Sequence, residues 1–215
     1  MRHRLLVALA LGTLPLPAAA QGLSGGAAGF NVQRRVFYQG AVYQQTGVWY
    51  GAAAAARLGP VRLGLSGLFG SLGGGGAQSP DVTIRATTVT LHLAVAPWML
   101  VGAQAEARRF EADAGVTSWR LIGANVRAEP GLGLPGLTGL ADVSVLPASS
   151  VSGGPPLKMA VQATVGAGFA PAGSHLAFRL GYRFERYDIS ASGASPERYE
   201  QFRGIVVEAG IRLGR

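Results

Sequence analysis

The sequence predicts an all-β fold, a single antiparallel up-and-down β-barrel that crosses a membrane on about ten strands, with eight as the alternative count. Three observations predict it. Long stretches alternate apolar and small or polar residues with a period of two, which is the signature of extended chain. These stretches exceed the usual soluble strand of about five or six residues. Beyond the first residues, no apolar run is long enough for a membrane helix, so a membrane-spanning chain of this composition must close its strands into a barrel.

The clearest pair of strands runs from Leu157 to Asp188. Leu157, Met159, Val161, Ala163, Val165, Ala167 and Phe169 share one face, opposite Lys158, Ala160, Gln162, Thr164, Gly166 and Gly168. After a Pro-Ala-Gly turn, Leu176, Phe178, Leu180, Tyr182 and Phe184 oppose His175, Arg179, Arg183 and Glu185. One face suits hydrocarbon and the other an enclosed interior.

The chain begins MRHRLLVALALGTLPLPAAAQG, with Arg2 and Arg4, an apolar stretch from Leu5 to Leu16, and Ala18 to Ala20 before Gln21. This is the pattern of a secretory signal peptide over residues 1–20, leaving 21–215 as one barrel domain. Pro15 and Pro17 argue against a spanning helix there. The chain has no cysteine, hence no disulfide. The formal charge is +8, and it falls by two when Arg2 and Arg4 leave with the signal. On an exported protein such charge suits anionic lipid headgroups or acidic partners inside a lumen better than nucleic acid.

After a Gly-rich lead, Phe30–Tyr38 is the weakest strand, because Arg34 falls among the apolar Phe30, Val32 and Val36 while Arg35 shares the face of Asn31 and Gln33. The segment 48–58 alternates through five alanines, and its flanks favour strand over helix. VRLGLSGLFGSL follows the Gly59-Pro60 turn, and a Gly73–Gly76 run reads as a flexible loop. That run lacks the Lys-Ser/Thr and the following helix of a phosphate-binding loop. Further strands start near Val82, Met99, Thr117 and Leu137, and the last is RGIVVEAGIRLGR.

Connections near 39–46, 73–82, 112–117, 148–157 and 188–201 read as longer polar loops. Those near 59–61, 96–98, 129–136 and 170–174 read as mostly shorter turns. That alternation predicts long loops outside and short turns on the periplasmic side. Counting Phe30–Tyr38 makes the number even and puts both chain ends in the periplasm. Aromatic girdles are expected from Tyr38, Tyr50, Phe69, Phe184 and Tyr187 at the outer rim, and from Phe30, Trp98 and Phe169 at the inner one. Arg34, Arg109 and Arg120 fall on the lipid face, at rim positions where they can snorkel. A periplasmic β-sandwich is the soluble alternative, but its core would have to hold the charged face.

On these strands the chain resembles the small bacterial outer-membrane β-barrels, the general class of OmpA-like and OmpW-like proteins, without a motif of one family. The resemblance implies residence in the bacterial outer membrane. Members of the class commonly end in an aromatic residue, whereas this chain ends Leu213-Gly214-Arg215.

The face assignment puts Arg35, Arg57, Arg62, His92, Glu106, Arg108, Arg127, Asp142, Lys158, Arg179, Arg183, Glu185, Glu208 and Arg212 in the lumen. Ten strands leave little room beyond what side chains fill, so these charges are expected to pair as a plug. The expected role is structural or surface-interacting, with outer-membrane lipids as partners. The alternative is a narrow conduit for small anionic or polar solutes, since rings of Arg favour anions; Arg179→Ala and Arg183→Ala would then alter selectivity. A lipid- or peptide-modifying enzyme is the third reading. The outer loops offer Asp81, Asp113, Asp188, Glu197 and Glu200, but His92 and His175 map to the lower half and the inner end. No catalytic set, metal site or cofactor is therefore expected.

Overall fold

A computed structural model describes residues 22–74, 81–113, 115–192 and 196–213, with Tyr38, Ala148 and Ser149 described by backbone alone. The expected signal peptide, the C-terminal Gly214-Arg215 and the Tyr38 girdle position lie outside the described residues or side chains. Ten strands follow in order: β1 Gly22–Tyr38, β2 Ala41–Leu58, β3 Val61–Gly74, β4 Val82–Ala96, β5 Met99–Ala112, β6 Gly115–Ala128, β7 Leu137–Ser152, β8 Leu157–Phe169, β9 Leu176–Ile189 and β10 Arg198–Leu213. Each pairs antiparallel with its chain neighbour, and β1 closes on β10. The result is a closed up-and-down barrel without a free sheet edge.

The seam is long. β1 pairs with β10 from Leu23↔Leu213 to Tyr38↔Arg198, and with β2 from Gly22↔Arg57 to Tyr38↔Ala41. The Gly-rich lead therefore belongs to the wall. The small residues allow a close approach at this seam: a Cβ on Gly204 would collide with the carbonyl oxygen of Asn31.

Several connections are tighter than the sequence suggested. Residues 39–46 are not a loop; β1 and β2 join through Gln39 and Gly40, both at positive φ (46° and 79°), the conformation that a two-residue hairpin requires. At the end holding the start of β1 and the finish of β10, here the terminal end, the connections are 59–60, 97–98, 129–136 and 170–175. At the opposite, distal end they are 39–40, 75–81, 113–114, 153–156 and 190–197. The expected alternation of long and short connections is thus lost, because strand pairing continues into polar segments that the sequence reading assigned to loops.

The outward face has a sharp polarity boundary. Thr87–Val95 of β4, Met99–Ala107 of β5, Val161–Phe169 of β8, the first nine residues of β9 and Ile205–Leu213 of β10 present no charge outward. Nine residues at about 3.3 Å each, tilted by about 40°, span roughly 23 Å, close to the apolar band of a membrane barrel. Leu91, Leu180, Ile205 and Val207 are each more than half exposed on this band. Tyr50, Phe69, Trp98 and Phe169 also stand outward. Phe30 and Tyr187 do not join the girdles; they are buried inside, at 8% and 0% exposure.

Leu180 lies near the middle of the uncharged run of β9 and is 60% exposed. Leu180→Arg is expected to lower unfolding free energy in lipid vesicles by about 2–4 kcal/mol. The control Asp188→Arg, at the distal rim, is expected to change it by much less. Equal effects at both positions in denaturant titrations would refute the placement of the band.

Candidate functional site

The enclosed interior is the candidate site, and it is layered. Along most strands the inward face carries polar residues toward the terminal end and large apolar ones toward the distal end. On β5, Gln104, Glu106 and Arg108 lead to Phe110. On β6, Arg127 and Asn125 lead through Gly123 to Leu121 and Trp119. On β9, Arg179, Arg183 and Glu185 lead to Tyr187 and Ile189.

The distal layer is an aromatic plug. Trp49, Phe110, Trp119, Tyr187 and Phe202 are between 0% and 7% exposed. Ring centroids lie 4.5 Å apart for Phe110–Trp119, 4.7 Å for Trp119–Tyr187 and 5.5 Å for Trp49–Phe202. Tyr187 meets Phe202 edge-on at 5.7 Å, an arrangement aromatic quadrupoles favour. Leu72, Ile84, Leu121 and Leu146, each fully buried, fill the rim of this layer. Above it, Arg34 Nη2 binds Glu200 at 2.7 Å and Arg34 Nη1 donates to Gln45 at 2.8 Å. The Arg34 guanidinium also rests over the Phe110 and Phe202 rings at 5.8 and 5.7 Å.

Beneath the plug sits Arg108, whose side chain is wholly buried. Its two terminal nitrogens grip Glu185 at 2.5 and 3.2 Å. Its Nε lies 2.8 Å from Glu106 as an ion pair without hydrogen-bond alignment. Arg183 Nε donates to Glu185 at 2.6 Å, so two guanidiniums balance two carboxylates. The Tyr187 hydroxyl donates to Glu185 at 2.9 Å and accepts from Gln162 at 3.0 Å. From there a ladder crosses the barrel: Gln162 to Glu106, Gln104 to Gln162, Ser144 to Gln104, and Asn125 to Ser144, at 2.7–2.9 Å. His92 closes it through Nε2 and the Asn125 side-chain oxygen. Such a network fixes each member because few donors or acceptors are left without a partner.

The terminal layer is an open cup of about 480 Å³. Glu129, in the turn after β6, accepts from Arg127 at 2.6 Å and Arg179 at 3.0 Å, with Arg62 at 3.9 Å. Arg127 also reaches Asp142 at 3.4 Å, and Arg179 reaches Glu208 at 3.3 Å. Arg57 and Arg212 line the cup without a carboxylate within ion-pair distance among the described residues, so five guanidiniums meet three carboxylates. Burial would raise the pKa of Glu129, but the surrounding Arg127, Arg179 and Arg62 bring it down to about 2.

Of the residues the sequence put in the lumen, Arg57, Arg62, His92, Glu106, Arg108, Arg127, Asp142, Arg179, Arg183, Glu185, Glu208 and Arg212 line these two layers. Arg35 does not. The inward phase of β1 is Phe30, Val32 and Arg34, which turns Arg35 to the outer wall and brings Arg34 inside. Lys158 does not either: a bulge between Leu157 and Met159 makes it the extra residue of β8, and its ammonium pairs with Glu197 at the distal rim at 2.6 Å.

Sequence reasoning missed Gln45, Glu129 and the aromatic plug, and it put Arg34 on the lipid face and Glu200 in an outer loop. Most of the plug was within reach, since Phe110, Trp119 and Tyr187 sit two residues beyond Arg108, Leu121 and Glu185 on the same faces. The distal carboxylates do not converge with a histidine. Asp188 pairs with Arg186, Glu197 with Lys158 and Glu200 with Arg34. His175 lies in the last terminal-end turn, its Nδ1 3.0 Å from the Arg212 carbonyl oxygen. Among the described residues no group of His, Cys, Asp and Glu forms a metal site.

No protein-family model matches the chain, and no curated protein matches its sequence. Solved structures do match. The outer membrane protease OmpT of Escherichia coli shares 9% identity over 93% of this chain and 99% of its own, with a TM-score of 0.53. The translocator domain of the autotransporter NalP of Neisseria meningitidis shares 11% over 97% and 93%, with a TM-score of 0.45. Neisserial surface protein A shares 13% over 89% and 98%, at 0.38. At 9% identity the likeness to the protease is one of fold. Fold and apolar band together give the chain the architecture of the small outer-membrane β-barrel proteins.

Two outcomes follow from the interior. Arg108→Met leaves Glu106 and Glu185 buried with less compensation, and is expected to cost about 3–5 kcal/mol. The triple variant with Glu106→Gln and Glu185→Gln is expected to recover much of that loss in denaturant unfolding, and no recovery would refute the charge argument. Glu129 contributes stability that is full above its unfolded pKa near 4.5 and lost as pH falls toward 2. Glu129→Gln is therefore expected to flatten the fall in thermal midpoint across that window; an unchanged slope would show that the arginine cup does not stabilise the carboxylate.

Proposed function

We propose that the protein is an exported barrel of the bacterial outer membrane, with the terminal end in the periplasm, and that it acts as a closed, non-conducting body. Its role on this reading is structural or surface-interacting, without chemistry of its own. The expected signal peptide supports export. The observation that carries the closed state is the aromatic plug sealed beneath by Arg108 and its two glutamates. A conduit would have to pass five large rings and a fully paired ionic layer, leaving the arginine-rich cup as a blind recess rather than half of a pore.

The test is conductance of the refolded protein in planar bilayers, using material that shows the heat-dependent gel migration of a closed barrel. Silence at both polarities in potassium chloride is expected. Discrete ohmic steps whose anion selectivity changes in Arg179→Ala and Arg183→Ala would overturn the closed reading in favour of the anion conduit.

A further inference from the structure

The outer wall carries a feature that a closed barrel does not need. Among the described residues six arginines point outward, and all lie in the distal part of the barrel: Arg35, Arg85, Arg109, Arg120, Arg186 and Arg203. On β4, β5, β9 and β10 the first outward position beyond the nine-residue uncharged run is an arginine in every case. Arg85 follows Thr87, Arg109 follows Ala107, Arg186 follows Phe184 and Arg203 follows Ile205. Arg120 likewise follows Ile122 on β6. On these five strands the guanidinium therefore stands at the distal edge of the uncharged run, and the opposite edge has no counterpart among the described residues.

Around the barrel they form two groups. Arg186, Arg203 and Arg35 lie on the adjacent strands β9, β10 and β1; Arg85, Arg109 and Arg120 lie on the adjacent strands β4, β5 and β6. With neighbouring strands about 4.8 Å apart, each group spans roughly 10 Å. Arg85 and Arg109 are directly opposed in the ladder, an arrangement that costs stability when nothing neutralises it. Glu111 serves both, at 3.9 and 2.8 Å. Arg203 donates to the neutral Gln33 at 2.7 Å, and Arg35 Nε is shielded from solvent with no hydrogen-bond partner. The outward face thus offers six guanidiniums against Glu111 and Asp188.

Beside the first group the distal rim forms a groove of about 680 Å³, bordered by Lys158, Arg186 and Arg198 and by Phe37 and Tyr199. The two rings stack at 4.2 Å, and the Arg186 guanidinium sits 4.4 Å over Tyr199, so the cation is held in place.

We infer that the two arginine triads bind the phosphate groups of lipids in the distal leaflet of the membrane. Guanidinium forks match phosphate oxygens in charge and geometry. Their height matches the level at which a lipid presents its phosphate, and their one-sidedness requires the anionic headgroup to be in one leaflet. This inference rests on the membrane reading, but not on whether the barrel conducts.

The experiment is native mass spectrometry of the detergent-solubilised mature protein with three probes: a diphosphorylated disaccharide lipid, its dephosphorylated form, and inorganic pyrophosphate. Wild type is expected to retain up to two phosphorylated lipids and to bind the dephosphorylated form at least roughly ten-fold more weakly, the worth of about one charge-assisted contact. The variants R35Q/R186Q/R203Q and R85Q/R109Q/R120Q are each expected to lose one lipid while keeping the heat-dependent gel shift. Should a triple fail to fold, Arg35→Gln and Arg120→Gln carry the same test. Equal retention by wild type and variants, or of phosphorylated and dephosphorylated lipid, would overturn the inference. Displacement by pyrophosphate at equal concentration would assign the triads to a free anion and overturn the lipid source. Absence of the gel shift in wild type would instead sink the membrane reading itself.

Discussion

Closure between β1 and β10 is the constraint on which the rest of the molecule depends. Hydrocarbon offers no partner to a backbone amide or carbonyl, so a sheet can enter a membrane only when its last edge is paired. The seam here runs nearly the full length of both strands. Its first half on β1 is a stretch poor in large hydrophobic side chains, Gly22 to Gly29, where glycine and alanine let the backbones approach. The side chains of this segment add little; the continuous ladder and the even strand count give it its place.

Closure fixes the circumference, and the circumference poses the next problem. Ten strands enclose more space than eight, whose interior side chains just fill. The extra volume is met in two ways. Toward the distal end it is filled by rings, which bury much area per residue and interlock at offset angles. Toward the terminal end it is filled with paired charges and amides, and part is left open as the cup. Arg108 belongs to both: its guanidinium satisfies Glu106 and Glu185 below and lies 5.2–5.8 Å from the Tyr187, Trp49 and Phe202 rings above. A buried cation is tolerable there because it has two carboxylates and three ring faces around it.

The fold was legible in the sequence because period-two alternation is imposed by the wall itself, which must be apolar wherever it meets lipid. That signal is strong in β4, β8, β9 and β10 and needs no tertiary information. It misleads at β1, where Phe30 and Val32 face the plug rather than lipid, so Arg34 and Arg35 exchange sides. Lys158 was misplaced for a different reason: a bulge adds one residue locally and reverses the phase beyond it, which no composition rule marks. Glu129 escaped notice because it sits in a turn, and Glu200 was assigned to an outer loop because its segment reads as one. Pairing partners such as Arg108 and Glu185, far apart in sequence, become visible only once the strands are wrapped.

The misreading of β1 and of the buried aromatic residues has one cause, and it concerns where the membrane ends. Along the lower part of the barrel the outside is apolar and the inside polar. Near the arginine belt the relation inverts, often between consecutive residues: Arg203 points out and Phe202 in, Arg120 out and Trp119 in, Arg109 out and Phe110 in, Arg186 out and Tyr187 in. Beyond the hydrocarbon the wall meets water and headgroups, so the strands obey the ordinary rule of a soluble protein and put their large apolar side chains in an enclosed core. Within the hydrocarbon the outside already satisfies the apolar side chains, and the interior can hold charge if it is paired. The aromatic plug and the outward arginines are thus two faces of one boundary. The same strand positions that mark where lipid stops also close the barrel, which is why this protein carries its hydrophobic core in its distal part and not at its centre.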